Sequence, residues 1–164
     1  PKIEIIGSVI QLGSHKINKN NWDKNNIEKN DFFCADKDSI LKWESYLSDI
    51  RKKGLSCGAI IEIIAKNVPV GLGEPIYQKL DANIASALMS INAVKGVEIG
   101  DGFSVVDLTG ETNSDEIRID KNKNVKYLSY ARLGKFMLSN NVNRFINPTK
   151  IPFTFRMYPT IHDY

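Results

Sequence analysis

The sequence is short of the residues that most often do chemistry. Histidine occurs only at His15 and His162, and cysteine only at Cys34 and Cys57. The cysteines are too far apart in sequence to form a metal-binding pair. They read as reduced, partly buried thiols rather than a disulfide framework. Arginine is sparse as well, at Arg51, Arg118, Arg132, Arg144 and Arg156, so lysine carries most of the net charge of +3. No apolar run approaches the roughly 18 residues of a membrane span, and no charged-then-apolar leader opens the chain. These absences point to a cytoplasmic protein with no membrane partner. The start at Pro1, without a methionine, suggests a fragment.

What is present is globular in kind. Charged residues make up 25% of the 164-residue chain and apolar residues 42%, the profile of one domain with a real core. Lysine and asparagine cluster at 16–29 and 121–126. Such tracts fit either a nucleic-acid footprint or solvated loops. They lack the interleaved aromatics and arginines of a nucleic-acid surface, which favours loops, and no nucleic-acid partner is expected.

Residues 2–12 (KIEIIGSVIQL) read as two short strands hinged near Gly7, and 13–30 as a long surface loop anchored by Trp22 and Ile27. A helix is expected over 36–53, because Ile40, Leu41, Trp43, Tyr46, Leu47 and Ile50 recur at three- and four-residue spacing. Asp36 or Asp38 caps its start and Gly54 closes its end. The run 58–65 (GAIIEIIA) is apolar enough for a strand buried on both faces.

The block 68–103 (VPVGLGEPIYQKLDANIASALMSINAVKGVEIGDGF) is the densest in special residues. It reads as a Gly/Pro loop with Pro75 opening a helix over about 76–91. Leu80, Ile84, Ala87, Leu88 and Ile91 mark that helix's buried face. A strand over 94–99 leads into a Gly100-Asp101-Gly102 turn, and a short strand over 103–108 follows. Asp81 suits the helix dipole, Asp101 suits a turn, and Lys95 suits solvent. From about Ser129 onward the pattern is polar and irregular, broken by Pro148, Pro152 and Pro159. Strands alternate with helices before that point, so the fold class is α/β, a layered sandwich.

The motifs of this chain resemble those of chorismate synthases. The family's G-[DS]-S-x-G-A, V-P-x-G-L-G-E-P, x-L-D-A-x-[IL]-A-x-A-[LM]-M-S-I-N-A-V-K-G and V-E-I-G-D-G-F segments correspond here to 54–59, 68–75, 79–96 and 97–103. Asn30-Asp31-Phe32-Phe33-Cys34 is similar to the family's N-P-F-F-C. Asp115-Glu116-Ile117 follows the G-x-x-N turn of 110–113 in the same way. The resemblance runs over about 2–117 and sharpens the fold to part of the layered β-α-β sandwich of the chorismate synthase type. It implies a partial family core at 1–128 and a tail at 129–164 that is divergent, irregular or read out of frame.

Departures accompany the match. Leu55 stands where the family has Asp. Tyr130-Ala131-Arg132-Leu133-Gly134 replaces a double-glycine loop, and only Tyr158-Pro159-Thr160-Ile161 echoes the later K-P-T-[SP]-[ST]-I segment. The family's G-x-S-H-G, R-x-S-x-R-E-T and R-H-D-P-C segments have no counterpart here.

The resemblance implies an enzyme of the shikimate pathway, and so of aromatic amino-acid biosynthesis. It is a lyase that eliminates phosphate from 5-enolpyruvylshikimate-3-phosphate to give chorismate, using reduced FMN in an NADPH-linked flavoprotein. The resemblance also implies a homotetramer. A phosphorylated dicarboxylate calls for several guanidinium groups, and proton transfer at the flavin calls for acids such as the family's two histidines. Only Arg51 and Arg118 lie inside the matched region, and neither histidine falls in a matching motif. No catalytic residue is therefore assigned, and this polypeptide alone is expected to be inactive. What carries over is the family's Asn-Ala flavin contact, here Asn92 and Ala93. Read without the family, Asn92 is a helix cap. The alternatives are a non-catalytic truncated remnant that self-associates and a basic nucleic-acid-binding module.

Overall fold

The computed structural model describes residues 2–68, 72–73, 78–112, 117–119, 125–127 and 153–161. The elements are β1 (Glu4–Leu12), β2 (His15–Lys16), α1 (Lys24–Ile27), α2 (Lys37–Lys52), β3 (Cys57–Lys66), α3 (Leu80–Met89), β4 (Val94–Ile99), β5 (Ile117–Ile119), β6 (Val125–Tyr127) and β7 (Phe153–Ile161). One sheet has the order β2-β1-β3-β7-β4, and β5 and β6 form a second. β1 and β2 are antiparallel, with Gln11 opposite Lys16 and Leu12 opposite His15. β5 and β6 are also antiparallel, with Ile117 opposite Tyr127. The chain forms two compact units. One comprises Ile6–Ile63, Met89–Val97 and Arg156–Tyr164, the other Pro1–Ile5, Ile64–Leu88 and Glu98–Phe155.

The first of these holds the two core clusters found among the described residues. In β1 the even positions Ile6, Ser8, Ile10 and Leu12 are buried while Ile5 and Gly7 face out, the two-residue period of a single strand. The expected hinge at Gly7 is thus replaced by one continuous strand. A Cβ at Gly7 would make only ordinary contact with Ile63, at 3.9 Å, so nothing there forces a bend. The break comes instead at Gly13, whose φ of 54° is costly for any residue with a Cβ. A side chain there would also run into the Tyr46 ring. The expected loop over 13–30 contains β2, a 3-10 turn at Lys19–Asn21 and α1. Its anchors are as expected, with Ile27 buried and Trp22 packed against the core.

α2 forms where its periodicity places it. Asp36 caps it by accepting from the Asp38 N–H, and the Gly54 N–H closes it onto the Arg51 carbonyl at 3.0 Å. Trp43 is fully buried among Ile10, Leu12, Ile17, Cys34, Cys57 and Ala59, with Phe32 edge-on at 6.0 Å. Leu41 does not join this stripe; it is 76% exposed. At about 100° per residue, position 41 falls across the helix from the arc shared by Ile40, Trp43, Leu47 and Ile50.

The bend before α2 is built by side chains. Asn30 Oδ1 accepts from the Phe32 and Cys34 N–H groups, and its Nδ2 donates to the carbonyls of Asn26 and Cys34. Phe33 sits at φ 50° inside this clamp, and its carbonyl accepts from the Val9 N–H. The buried Asp36 carboxylate accepts from the Asn18 N–H at 2.9 Å, the Asp38 N–H at 3.0 Å and the Ser39 hydroxyl at 2.8 Å. β3 is less enclosed than expected: Ala59, Glu62 and Ala65 are buried, the isoleucines only partly, and Gly58 is exposed.

In the other unit, α3 is shorter than expected and buries nothing. Residues 69–71 and 74–77, including Glu74 and Pro75, lie outside the described residues. Leu80, Ile84 and Leu88 are half-buried and Ala87 is exposed. The expected buried face is therefore only partly covered, with Ile84 and Ala85 half-buried and Ala82 and Ala87 exposed.

The segment expected as a strand over 103–108 is a 3-10 helix, Gly102–Asp107. Gly102 takes φ 56°, Glu98 Oε1 accepts from the Phe103 N–H at 3.3 Å, and Ser104 and Leu108 donate to carbonyls three residues back. These local bonds win the backbone from a ladder.

Residues 128–152, with the altered glycine loop, lie outside the described residues. The irregular reading fails at Phe153–Ile161, which forms the strand between β3 and β4. Apolar Phe153, Phe155, Met157 and Ile161 do alternate with Thr154, Arg156, Tyr158 and Thr160, but Pro152 and Pro159 read as breaks in the sequence.

Candidate functional site

The sequence singles out the turn that joins α3 to β4. The helix ends at Met89, Ser90 and Ile91 follow, and the Val94 N–H donates to the Ile91 carbonyl at 3.3 Å. Ala93 takes φ 67°. A Cβ in this left-handed region costs about 1–2 kcal/mol, and glycine would avoid the cost. Asn92 is exposed and Ala93 half-buried. The turn thus presents a short polar side chain followed by a methyl group held in a disfavoured backbone state. The helix-cap reading of Asn92 places it at the helix end, whereas the residue in the left-handed conformation is Ala93. Strain at a turn of this kind is characteristic of sites where the backbone path is dictated by something other than local stability.

Among the remaining candidates, Asp81, His15 and Arg156 have partners of their own. Asp81 lies in the first turn of α3, accepts from the Ala82 N–H, and has Lys79 Nζ at 3.7 Å. Asp101 opens the 3-10 helix, and its carbonyl accepts from Ser104. Lys95 is exposed. His15 stacks edge-on against Tyr46 at 4.8 Å between ring centres, a packing role. Arg51 ends α2, and Arg118 lies in β5. Arg156 lies in β7 and is committed to Glu62, Nε to Oε2 at 2.9 Å. Thr160 falls in the same strand. Met89 is 48% exposed. Arg132, Arg144 and His162 lie outside the described residues.

Neither cysteine is poised for chemistry. Both are buried. Burial pushes the Cys34 thiol up, its hydrogen bond to the Asp36 carbonyl at 3.2 Å opposing this only in part. A raised thiol is a poor nucleophile at neutral pH. At Asp36, burial acts to raise the carboxyl. The donors from Asn18, Ser39 and Asp38 outweigh it and hold the group below its ordinary value. This carboxylate is structural, capping α2 from inside the core.

Reading the sequence alone missed the Glu62–Arg156 pair. The signal was available in GAIIEIIA, because a glutamate inside an apolar strand needs a partner if it is buried. Among the described residues there is no cluster of three or more His, Cys, Asp or Glu that could hold a metal, and no helix long and apolar enough to cross a membrane.

With this geometry in place, comparison with known proteins gives a consistent result. The sequence profile of the family described as chorismate synthase matches residues 1–136. A chorismate synthase of Agrobacterium fabrum is 50% identical over 129 residues, covering 79% of this chain and 35% of that protein. Those of Rhodopseudomonas palustris (strain BisB5) and Parvibaculum lavamentivorans are 59% identical over 117 residues and 58% over 118. Each covers 71–72% of this chain and 32% of the relative. A crystal structure of chorismate synthase superposes with a TM-score of 0.74 at 26% identity, over 96% of this chain and 48% of that one. The chain spans about a third of the length of the curated relatives it matches.

Proposed function

Because the chain belongs to the chorismate synthase family, we propose that it supplies one wall of a chorismate synthase active site, with Asn92 and Ala93 as its flavin contact. The reaction is the elimination of phosphate from 5-enolpyruvylshikimate-3-phosphate to give chorismate, in the cytoplasm, by a homotetrameric enzyme. The observation that carries this reading is the family match across α3 and β4, joined to the strained turn at Ala93.

The residues suit a flat ring system. Ala93 is small enough to admit a ring at van der Waals distance, and Asn92 offers both a donor and an acceptor at the surface. Bound reduced FMN supplies the electron density that eases loss of the phosphate group. The part of this chain would be to bind and orient: Asn92 and Ala93 would hold the ring through the side-chain amide and the methyl group. Proton transfer and anion clamping belong to family segments without a counterpart in this sequence, so the polypeptide alone is inactive. Residues 1–128 are the partial family core, and the family match ends a few residues beyond them, at residue 136.

Titration with oxidised and reduced FMN tests the contact. Saturable binding that weakens at least about tenfold in Asn92→Ala supports it. No binding at near-millimolar FMN removes the cofactor claim for this chain. A phosphate-release assay with the substrate and reduced FMN tests the activity claim. Clear turnover by this polypeptide would contradict the assignment of the acid and anion-binding groups to other segments.

A further inference from the structure

The strand β7 lies outside the family match, which ends at residue 136, yet it occupies the interior position between β3 and β4. Its side chains explain how it is chosen. Arg156 and Tyr158 are two residues apart, so they lie on one face of the strand. On the β3 side, Glu62 is only 8% exposed, and its Oε2 meets Arg156 Nε at 2.9 Å, with Lys19 Nζ farther off at 4.0 Å. A buried carboxylate in an otherwise apolar strand is costly unless a cation answers it, so this site selects for an arginine. On the β4 side, Gly96 leaves room for a ring. A Cβ built there would lie 3.5 Å from Tyr158 Cδ2, so any side chain extending past Cβ would compete with the ring for that space.

We propose that the slot between β3 and β4 is a strand-recognition site. It reads an Arg-x-Tyr pattern on an extended peptide, with Glu62 selecting the arginine and Gly96 admitting the aromatic ring. Its resident occupant is the chain's own Phe153–Ile161. Recognition divides in the usual way for strand addition, with backbone ladder bonds giving affinity and side-chain sites giving specificity.

The test uses the full chain carrying Arg156→Glu, which sets a carboxylate against Glu62 and loosens the resident strand. A labelled peptide FTFRMYPTI is titrated in by fluorescence anisotropy, alongside a peptide with the arginine replaced by glutamate and one with the tyrosine replaced by alanine. The expected result is binding of the native peptide to the variant, at least about tenfold weaker binding of either altered peptide, and no binding to the unaltered chain. Equal binding of all three peptides, or none, would overturn the proposal. Circular dichroism checks that the variant stays folded. If Arg156→Glu unfolds the whole chain, the charge-exchanged pair Glu62→Arg with Arg156→Glu is examined by hydrogen exchange. Recovery of β7 protection supports selection by this pair, and failure to recover it contradicts the proposal.

Discussion

Two segments of this chain, the bend and helix from Asn30 to Gly54 and the helix and turns from Leu80 to Asp107, are both specified in detail by their residues, and they use that detail differently. In the first, polar side chains brace a bend from within. Asn30 satisfies four backbone partners, Asp36 three donors, and Trp43 fills the space behind them. In the second, no residue of α3 is buried, and Met89, Ile91, Phe103 and Val106 are 48%, 48%, 78% and 82% exposed. Phe103 and Val106 share a face, because side chains three apart eclipse in a 3-10 helix. The long helix motif, the most specific of the family's motifs, thus lies where the described residues form little buried core. The motif segments at 30–34 and 54–59, by contrast, give Cys34, Cys57 and Ala59 to the packed core, so the family's motifs divide between packed and exposed positions.

Substitutions can break or sharpen that contrast. Trp43→Ala should have the largest effect, about 3–5 kcal/mol in a urea melt, because it empties the centre of the packed segment. A loss below about 1 kcal/mol would mean that the core lies elsewhere. Asp36→Ala should cost about 2–3 kcal/mol, since it removes the cap of α2 and leaves buried donors unanswered. The same carboxylate sets a pH dependence. Its folded-state pKa lies below the unfolded value of 3.8. Its contribution is therefore complete above that value and is lost as the pH falls through the folded pKa. Urea midpoints between about pH 5 and pH 2 should fall for the native chain and show a shallower fall for Asp36→Asn. Parallel curves would assign acid sensitivity to other groups.

The second segment should respond more weakly. Gly102→Ala is expected to cost about 1–2 kcal/mol. It places a Cβ at φ 56° and within 2.6 Å of the Glu98 side chain. The loss should register as faster hydrogen exchange over 98–108 rather than as a large shift of the whole melt. Ile91→Ser should change the melt by no more than about 0.5 kcal/mol, as at an exposed position. A larger loss would show that the α3 end is covered in solution.

The same contrast explains what the sequence disclosed. Regular elements with a clear period were legible: β4 has the boundaries its residues suggest, and α2 is read to within a residue by Ile40, Trp43 and Leu47. Leu41 misled because it is apolar but sits across the helix, and apolar character alone does not fix the angle. The 3-10 helix was not legible, because 103–108 carries strand-forming Phe and Val while the deciding bonds come from Glu98 and Asp101. β7 was missed because Pro148, Pro152 and Pro159 read as breaks and the family match ends at residue 136, and only the isolated glutamate at 62 hinted at it. At the candidate site, the family motif pointed to Asn92 and Ala93, but nothing in the sequence marks an alanine for φ 67°, since that state is imposed by the turn between a helix and a strand.

Hydrogen exchange on the chain alone tests most directly the claim that the long helix motif is held less firmly than the segment packed around Trp43. The α2 amides of residues 43–50 should exchange only through unfolding of the packed core, and those of α3 at least about a hundredfold faster through local opening. Equal protection of the two helices would contradict the claim and show that α3 is already part of a completed core.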